Sequence, residues 1–331
     1  MTAAEVGTRG QPWVVVVDQA SGEVRGRFLA YEPGFRGGVR LAVGDVDGDE
    51  VDDVVTAPGP GRVGEVRVFR QDGTELVAYR TLPFARNYRG GIEIAVGDVT
   101  GDNFIDLVAA ASRGPGEVRV FSITPTAADP VANQPVRAFI AFPRHMLGGA
   151  TVATADIGTF SGGSLVDAAR RDGRMEIVVG SGAGMAPLVA IYDVSAMPAV
   201  VRRLRPLVPT LRGGLALAAG RYDDDAVDDI IVTAGRRGGS LVEVWSGRQA
   251  TAQPTLLVRQ RAFAELSRLD GAVFAAGVDD DGDGRIDSLL VAEGPGGLDR
   301  GLRRIGGGAS ATVVAPPMRG PLRVAVTRPR R

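Results

Sequence analysis

A short acidic string returns along this chain, each time between two apolar runs, and it sets both a loop type and a period. Asp45-Val46-Asp47-Gly48-Asp49-Glu50-Val51-Asp52-Asp53 is the first copy and Asp98-Val99-Thr100-Gly101-Asp102-Asn103-Phe104-Ile105-Asp106 the second. Asp279-Asp280-Asp281-Gly282-Asp283-Gly284-Arg285-Ile286-Asp287 is the clearest late copy. Oxygen-bearing side chains fall at positions 1, 3, 5 and 9 of each. That spacing wraps hard oxygen ligands around one cation, and Ca²⁺ accepts such a cage.

Related loops begin at 45, 98, 156, 221 and 279, so the spacings are 53, 58, 65 and 58 residues. Periods of this size belong to stacked supersecondary units. Within residues 37–84 the unit reads as Val39–Val43, the acidic loop, Asp53–Ala57, a Gly/Pro turn, the alternating Glu65-Val66-Arg67-Val68-Phe69, an Asp72-Gly73 hairpin turn and Leu76–Tyr79. The first strand recurs at Ile92, Ala150, Leu215 and Ala272, and the third at Glu117, Leu188 and Leu241. Four antiparallel strands per unit, repeated about an axis, predict an all-β fold, a β-propeller. Trp13–Asp18 and Arg25–Leu29 read as third and fourth strands, and Gly320–Val326 as a first strand. N- and C-terminal strands are therefore expected to share a blade, although its second strand is not evident. The expectation is six four-stranded blades, or seven as the alternative. They form one domain over residues 12–327, after a flexible segment 1–11 and before a basic tail 328–331.

The string Asp-x-Asp/Asn-x-Asp-x-x-x-Asp with strands on both sides resembles FG-GAP/VCBS repeats, which build the β-propeller of integrin α subunits and of many bacterial secreted proteins. The resemblance spans roughly residues 12–327. It implies that each acidic loop joins the two innermost strands of a blade and holds Ca²⁺, that ligands meet the opposite face, and that the chain is an adhesion or recognition scaffold.

Three loops are expected to bind structural Ca²⁺. The first offers Asp45, Asp47, Asp49 and Asp53 with the Val51 carbonyl. The second offers Asp98, Asp102 and Asp106 with the Thr100 hydroxyl and the Phe104 carbonyl. The fifth offers Asp279, Asp281, Asp283 and Asp287 with the Arg285 carbonyl. So many carboxylates do not crowd together at neutral pH without a positive partner. An EF-hand is excluded, because position 12 is Thr56, Ala109 or Leu290 rather than Glu and the flanks alternate as strands do. The third loop is weaker: Asp156, Asp172 and Glu176 converge only if Phe160–Arg171 is a surface insert. The fourth is weaker too, with Asp223, Asp225 and Asp229 but Arg221 in the first place. The hypothesis there is that the Arg221 guanidinium replaces the ion.

Arg36, Arg89, Arg212 and Arg319 precede the glycine pairs that open first strands, where Leu147 and Asp270 stand in the other units. Arg62, Arg113, Arg236, Arg237 and Arg300 sit in turns between second and third strands. Both sets belong to the face opposite the acidic loops and would attract carboxylate or sulfate groups, as on an anionic glycan or an acidic protein segment.

A net charge of −1 gives no global signal for nucleic acid or membrane, and no apolar run is long enough to span a bilayer. All basic side chains are Arg. With no cysteine there is no disulfide or thiol chemistry. No signal-peptide pattern opens the chain, so a cell-surface or extracellular home requires a mature or excised portion of a longer protein. His145 is the only histidine, and no catalytic constellation can be assembled around it. The expectation is a non-enzymatic protein, monomeric or a module of a larger one. The alternatives are a propeller enzyme acting on polysaccharide, a hydrolase or lyase, and a purely structural module of a surface protein.

Overall fold

The computed structural model of the protein describes residues 2–6, 11–18, 23–248, 253–263, 271–294, 302–306 and 323–326. Apart from one 3₁₀ turn, every regular element in them is a strand. Five blades come from contiguous stretches. The first holds β4 (Val39–Gly44), β5 (Asp53–Pro58) and β6 (Arg67–Phe69); the second β7 (Ile92–Gly97), β8 (Asp106–Ala111), β9 (Glu117–Phe121) and β10 (Arg137–Ile140). The third holds β11 (Ala150–Ala155), β14 (Glu176–Ser181), β15 (Val189–Asp193) and β16 (Ala199–Leu204). The fourth holds β17 (Leu215–Gly220), β18 (Asp229–Ala234), β19 (Leu241–Trp245) and β20 (Leu256–Arg261); the fifth β21 (Val273–Val278), β22 (Ser288–Glu293) and β23 (Leu302–Ile305). A separate sheet joins the chain ends, in the order β24 (Arg323–Val326), β1 (Thr2–Val6), β2 (Trp13–Val17), β3 (Val24–Leu29).

The expectation of six, alternatively seven, four-stranded blades is therefore corrected. Among the described residues the chain folds five contiguous blades of three or four strands, a four-stranded sheet of the two ends and one separate two-stranded hairpin. Leu76–Tyr79, expected as the fourth strand of the first blade, is instead a 3₁₀ turn over Val77–Tyr79. Arg80 donates two hydrogen bonds to the Glu75 carboxylate, at 2.6 and 2.7 Å, and this local pairing draws the segment into a turn. Thr2–Val6, expected within a flexible segment, is β1, paired on one side with β2 and on the other with β24. Residues 320–322 and the tail 328–331 lie outside the described residues.

Each strand type has its own chemistry. The second strands β5, β8, β14, β18 and β22 are buried throughout, because both sheet faces are covered by neighbouring blades. They read as near-continuous apolar runs for that reason. The third strand β9 alternates buried and half-buried positions, as a strand with one wetter face does. The apolar clusters form between blades: Val55, Val66 and Val68 of the first pack against Ile92 and Leu107 of the second. The first strands β4, β7, β11, β17 and β21 are rich in small residues and lie side by side around the axis, with β24 between β21 and β4.

Register places the loops. Gly44 pairs with Asp53, Gly97 with Asp106, Ala155 with Glu176 and Gly220 with Asp229. The ninth residue of the first, second and fourth loops, and Glu176 after the insert of the third, thus lies directly across from the residue before the loop's first. Phe160–Arg171 is the expected excursion; it takes part in a hairpin of β12 (Thr159–Ser161) and β13 (Ser164–Asp167), whose second strand is exposed while Phe160 anchors the first in the core.

Candidate metal centres and the opposite face

In the first loop the Asp45 carboxylate accepts the Gly48 and Glu50 amides, both at 2.9 Å, and so caps the turn from inside. The Asp47 carboxylate accepts the Asp49 amide, Asp49 accepts Val51, and Asp53 accepts Val46 at 3.1 Å. Positions 4 and 6 take left-handed backbone, Gly48 at φ 76° and Glu50 at φ 67°. Asp45, Asp47 and Asp53 each bring an oxygen within 4.8 Å of the others. Arg70 spans Asp47 and Asp49, with both contacts at 2.6 Å. The side chain of Val51 is exposed.

The fifth loop repeats this arrangement. Asp279 accepts Gly282 and Gly284 at 2.7 and 2.9 Å, and Asp287 accepts the Asp280 amide at 2.7 Å. Asp281 accepts the Asp283 amide and Asp283 accepts the Arg285 amide. Asp279, Asp281 and Asp287 form a second triad within 4.8 Å. The Arg285 side chain pairs with Asp224 of the neighbouring loop.

The second loop has the same backbone, with Asp98 accepting Gly101 and Asn103, Asp102 accepting the exposed Phe104, and Asp106 accepting Val99 and Thr100. It does not gather three carboxylates as closely. Its distinguishing feature is a pair of buried oxygens with no hydrogen-bond partner, Thr100 Oγ1 and Asp106 Oδ1. Unsatisfied buried oxygens of this kind suit a cation.

The third loop keeps the amide contacts of the motif in spite of its insert, but Asp156, Asp172 and Glu176 are not among the triads that gather within 4.8 Å. Asp156 accepts the Gly173 amide, Asp172 the Arg174 amide, and Glu176 the Ile157 amide, so Glu176 fills the role of Asp53. Glu176 is fully buried and its Oε1 has no hydrogen-bond partner.

The fourth loop corrects the hypothesis about Arg221. Its guanidinium Nε donates to the Asp225 backbone carbonyl at 3.3 Å and makes no ion pair with Asp223, Asp225 or Asp229. The Arg221 carbonyl is itself held by the Ile286 amide at 2.6 Å. The three acids remain a triad within 4.8 Å. Without a carboxylate at position 1 to gather amides, Asp224 and Ala226 do not adopt the left-handed turn. Among the described residues three acidic triads could thus hold a metal ion: in the first, fourth and fifth loops.

Burial sets the electrostatics. It pushes the Asp53 carboxyl up to about 7, with help from Asp47, and the Asp229 carboxyl to about 7. Burial also raises Asp106 to about 6 and Glu176 to about 9. Asp49 is held below the usual range by the Val51 amide and by Arg70.

On the opposite face the arginines divide. Arg36 and Arg212 donate to carbonyls of their own turns, at Pro33 and Phe35 and at Pro209 and Leu211. Arg62 lies 4.2 Å over the Tyr31 ring and pairs with Glu32 at 3.3 Å. Arg89, Arg113, Arg236 and Arg237 are exposed, as is His145. Arg319, Arg300 and Asp270 lie outside the described residues. The sequence reading passed over Arg40 and Glu93, an ion pair at 2.8 Å between neighbouring first strands. The signal was available: five residues before the loop start, these two strands carry charges where the first strands of the other contiguous blades carry Thr151, Ala216 and Phe274.

The blades and their loops define a β-propeller with acidic-loop repeats, three of which could hold a metal ion. Residues 45–109 match the FG-GAP-like repeat, and together with the blade arrangement this supports an FG-GAP repeat β-propeller. No curated protein matches the sequence. Among solved structures, a protein from Lactobacillus plantarum is similar with TM-score 0.54 and 12% identity, over 94% of this chain and 80% of that one. A chain of a nidogen/laminin complex reaches TM-score 0.49 at 9% identity, over 99% and 100% of the two chains. An exo-type rhamnogalacturonan lyase reaches 0.42 at 16%, over 91% of this chain and 59% of the lyase. At such identities the likeness concerns the fold alone. No helix among the described residues is long and apolar enough to cross a membrane.

Proposed function

We propose that the protein is a non-catalytic recognition scaffold whose acidic loops bind Ca²⁺ and whose opposite face receives a protein or anionic glycan ligand. The observation that carries this is the convergence of three carboxylate triads, each within 4.8 Å, at the same end of the first strands. Donor sets made only of carboxylate, hydroxyl and carbonyl oxygen favour Ca²⁺ over softer metals, and flexible loops of this kind suit it better than Mg²⁺, which demands near-ideal octahedra. Asp45, Asp47 and Asp53 would hold one ion, Asp279, Asp281 and Asp287 another. The orphaned Thr100 and Asp106 oxygens support a third in the second loop. Extracellular modules bind Ca²⁺ at about 10⁻⁴ to 10⁻³ M, and a cell-surface or secreted setting supplies such concentrations. Thermal unfolding in chelator, Ca²⁺ and Mg²⁺ tests the reading. Ca²⁺ is expected to raise the midpoint more than Mg²⁺, and no response to Ca²⁺ or chelator would reject it.

A further inference from the structure

The first strands enclose two chambers separated by a ring of Leu41, Ile94, Val152, Leu217 and Ala275, which lines both. The chamber on the glycine-pair face measures about 460 Å³, within the size range of small-molecule sites. Its wall is mostly glycine backbone and small apolar side chains, and into it face Arg40, Glu93, Ser112, Thr151, Arg236 and Phe274. Arg40 Nε donates to Glu93 Oε1 at 2.8 Å, and Ser112 Oγ lies 3.1 Å from the same oxygen. Both charged side chains are largely shielded, at 14% and 12% exposure.

These groups depart from the repeat at places that meet. After the second strand, Gly59, Gly182, Gly235 and Gly294 each donate their amide to the turn that opens the first strand of the same blade. In the second blade Ser112 takes that place, makes the equivalent bond to Gly91, and adds a hydroxyl that reaches Glu93. A shielded ion pair is weak support for a fold, because desolvation offsets its attraction. Within the five contiguous blades no other first strand carries a charge at this level, although Arg323 holds the corresponding sequence position in β24.

We propose that this chamber binds a uronic-acid sugar. The statement rests on the recognition role argued above. The carboxylate meets the guanidinium groups of Arg40 and Arg236, which match its planar geometry. The hydroxyls meet Ser112, Thr151 and the Glu93 carboxylate, and the apolar ring face meets Phe274. The exposed Arg89 and Arg113 steer anions toward the mouth. An acidic peptide side chain would engage the guanidiniums but leave the hydroxyl-directed groups unanswered.

Calorimetric titration of the Ca²⁺-loaded full chain with D-glucuronate, D-glucose and a tetraglutamate peptide tests the proposal. Glucuronate is expected to bind about tenfold or more tightly than glucose, a ratio set by the carboxylate alone. Arg236→Ala changes an exposed side chain and should cost about tenfold in glucuronate affinity with an unchanged melting temperature. Thr151→Val should weaken glucuronate without restoring affinity for the peptide. Equal binding of glucose and glucuronate, tighter binding of the peptide, no binding of glucuronate, or an unaffected Arg236→Ala variant would each overturn it. If the Ca²⁺-dependent midpoint shift persists in such a case, only the chamber assignment fails. Loss of that shift would instead reject the metal role of the loops, whatever the sugar does.

Discussion

Asp53 is 2% exposed, accepts one backbone amide, and faces the carboxylates of Asp45 and Asp47. A side chain so placed takes up a proton or acquires a positive neighbour. Its position nine residues into the loop was legible from sequence, because spacing alone fixes which carboxylates share a turn. Two things were not. Arg70 comes from beyond the third strand to bridge Asp47 and Asp49, and nothing local in sequence links residues 23 and 21 positions apart. Arg221 was assigned a partner by charge alone, whereas its backbone is fixed by Ile286 and its side chain turns to a carbonyl. The Asp53→Asn variant separates the two states of the loop. The amide oxygen still accepts Val46, so in chelator at pH 8 the variant should be at least as stable as the parent. With Ca²⁺ at a hundred times its dissociation constant the parent gains about 2.7 kcal/mol per site, and the variant should lose most of that increment. Paired urea titrations with and without Ca²⁺ measure both. A variant that gains as much from Ca²⁺ as the parent would remove Asp53 from the ligand set.

At the level of elements, a third strand repeatedly reaches back to the blade before it. Arg67 donates to the Ala30 carbonyl at 3.2 Å, Arg119 to Pro83 at 2.9 Å and Tyr192 to Ala141 at 2.7 Å. Where Glu243 occupies the place, the direction reverses and it accepts the Leu207 amide at 2.8 Å. Arg67 and Arg119 also cover the rings of Tyr31 and Phe84, each at 5.1 Å. The alternation of β9 announced that Arg119 lies on one side of a strand, but not that its guanidinium ties two blades together. Arg119→Ala should lower stability by about 1.5–3 kcal/mol, the range for a hydrogen bond from a charged group. Arg119→Lys should recover part of this. The test is a shifted urea midpoint at constant slope; a midpoint within error of the parent would make the tie energetically idle. β1 escaped notice for a related reason. Thr2-Ala3-Ala4-Glu5-Val6 has no alternating pattern of large apolar residues and forms a strand because β2 and β24 flank it.

At the scale of the whole molecule, the buried acids give stability a pH dependence whose sign depends on the ion. Asp106, Asp53, Asp229 and Glu176 titrate near 6, 7, 7 and 9 in the fold, above the values of an unfolded chain. The folded state therefore keeps protons that the unfolded state has already released. The resulting stabilisation is complete below about pH 4 and is lost as pH rises through those folded values. In chelator the melting temperature should fall between pH 5 and pH 9. In Ca²⁺ the slope should flatten or reverse, because the ion competes with the same protons. A chelated protein whose melting temperature rises with pH over that interval would contradict this. The sheet of the two ends has a mechanical corollary. Thr2 pairs with Val326 and Glu5 with Arg323, so the polypeptide enters β1 and leaves β24 at the same end of two adjacent strands. Tension applied through both ends would peel β24 from β1 one rung at a time instead of sliding them past each other, and such unzipping yields at low load. Spliced into a longer polypeptide under strain, this wheel would open first at its own seam.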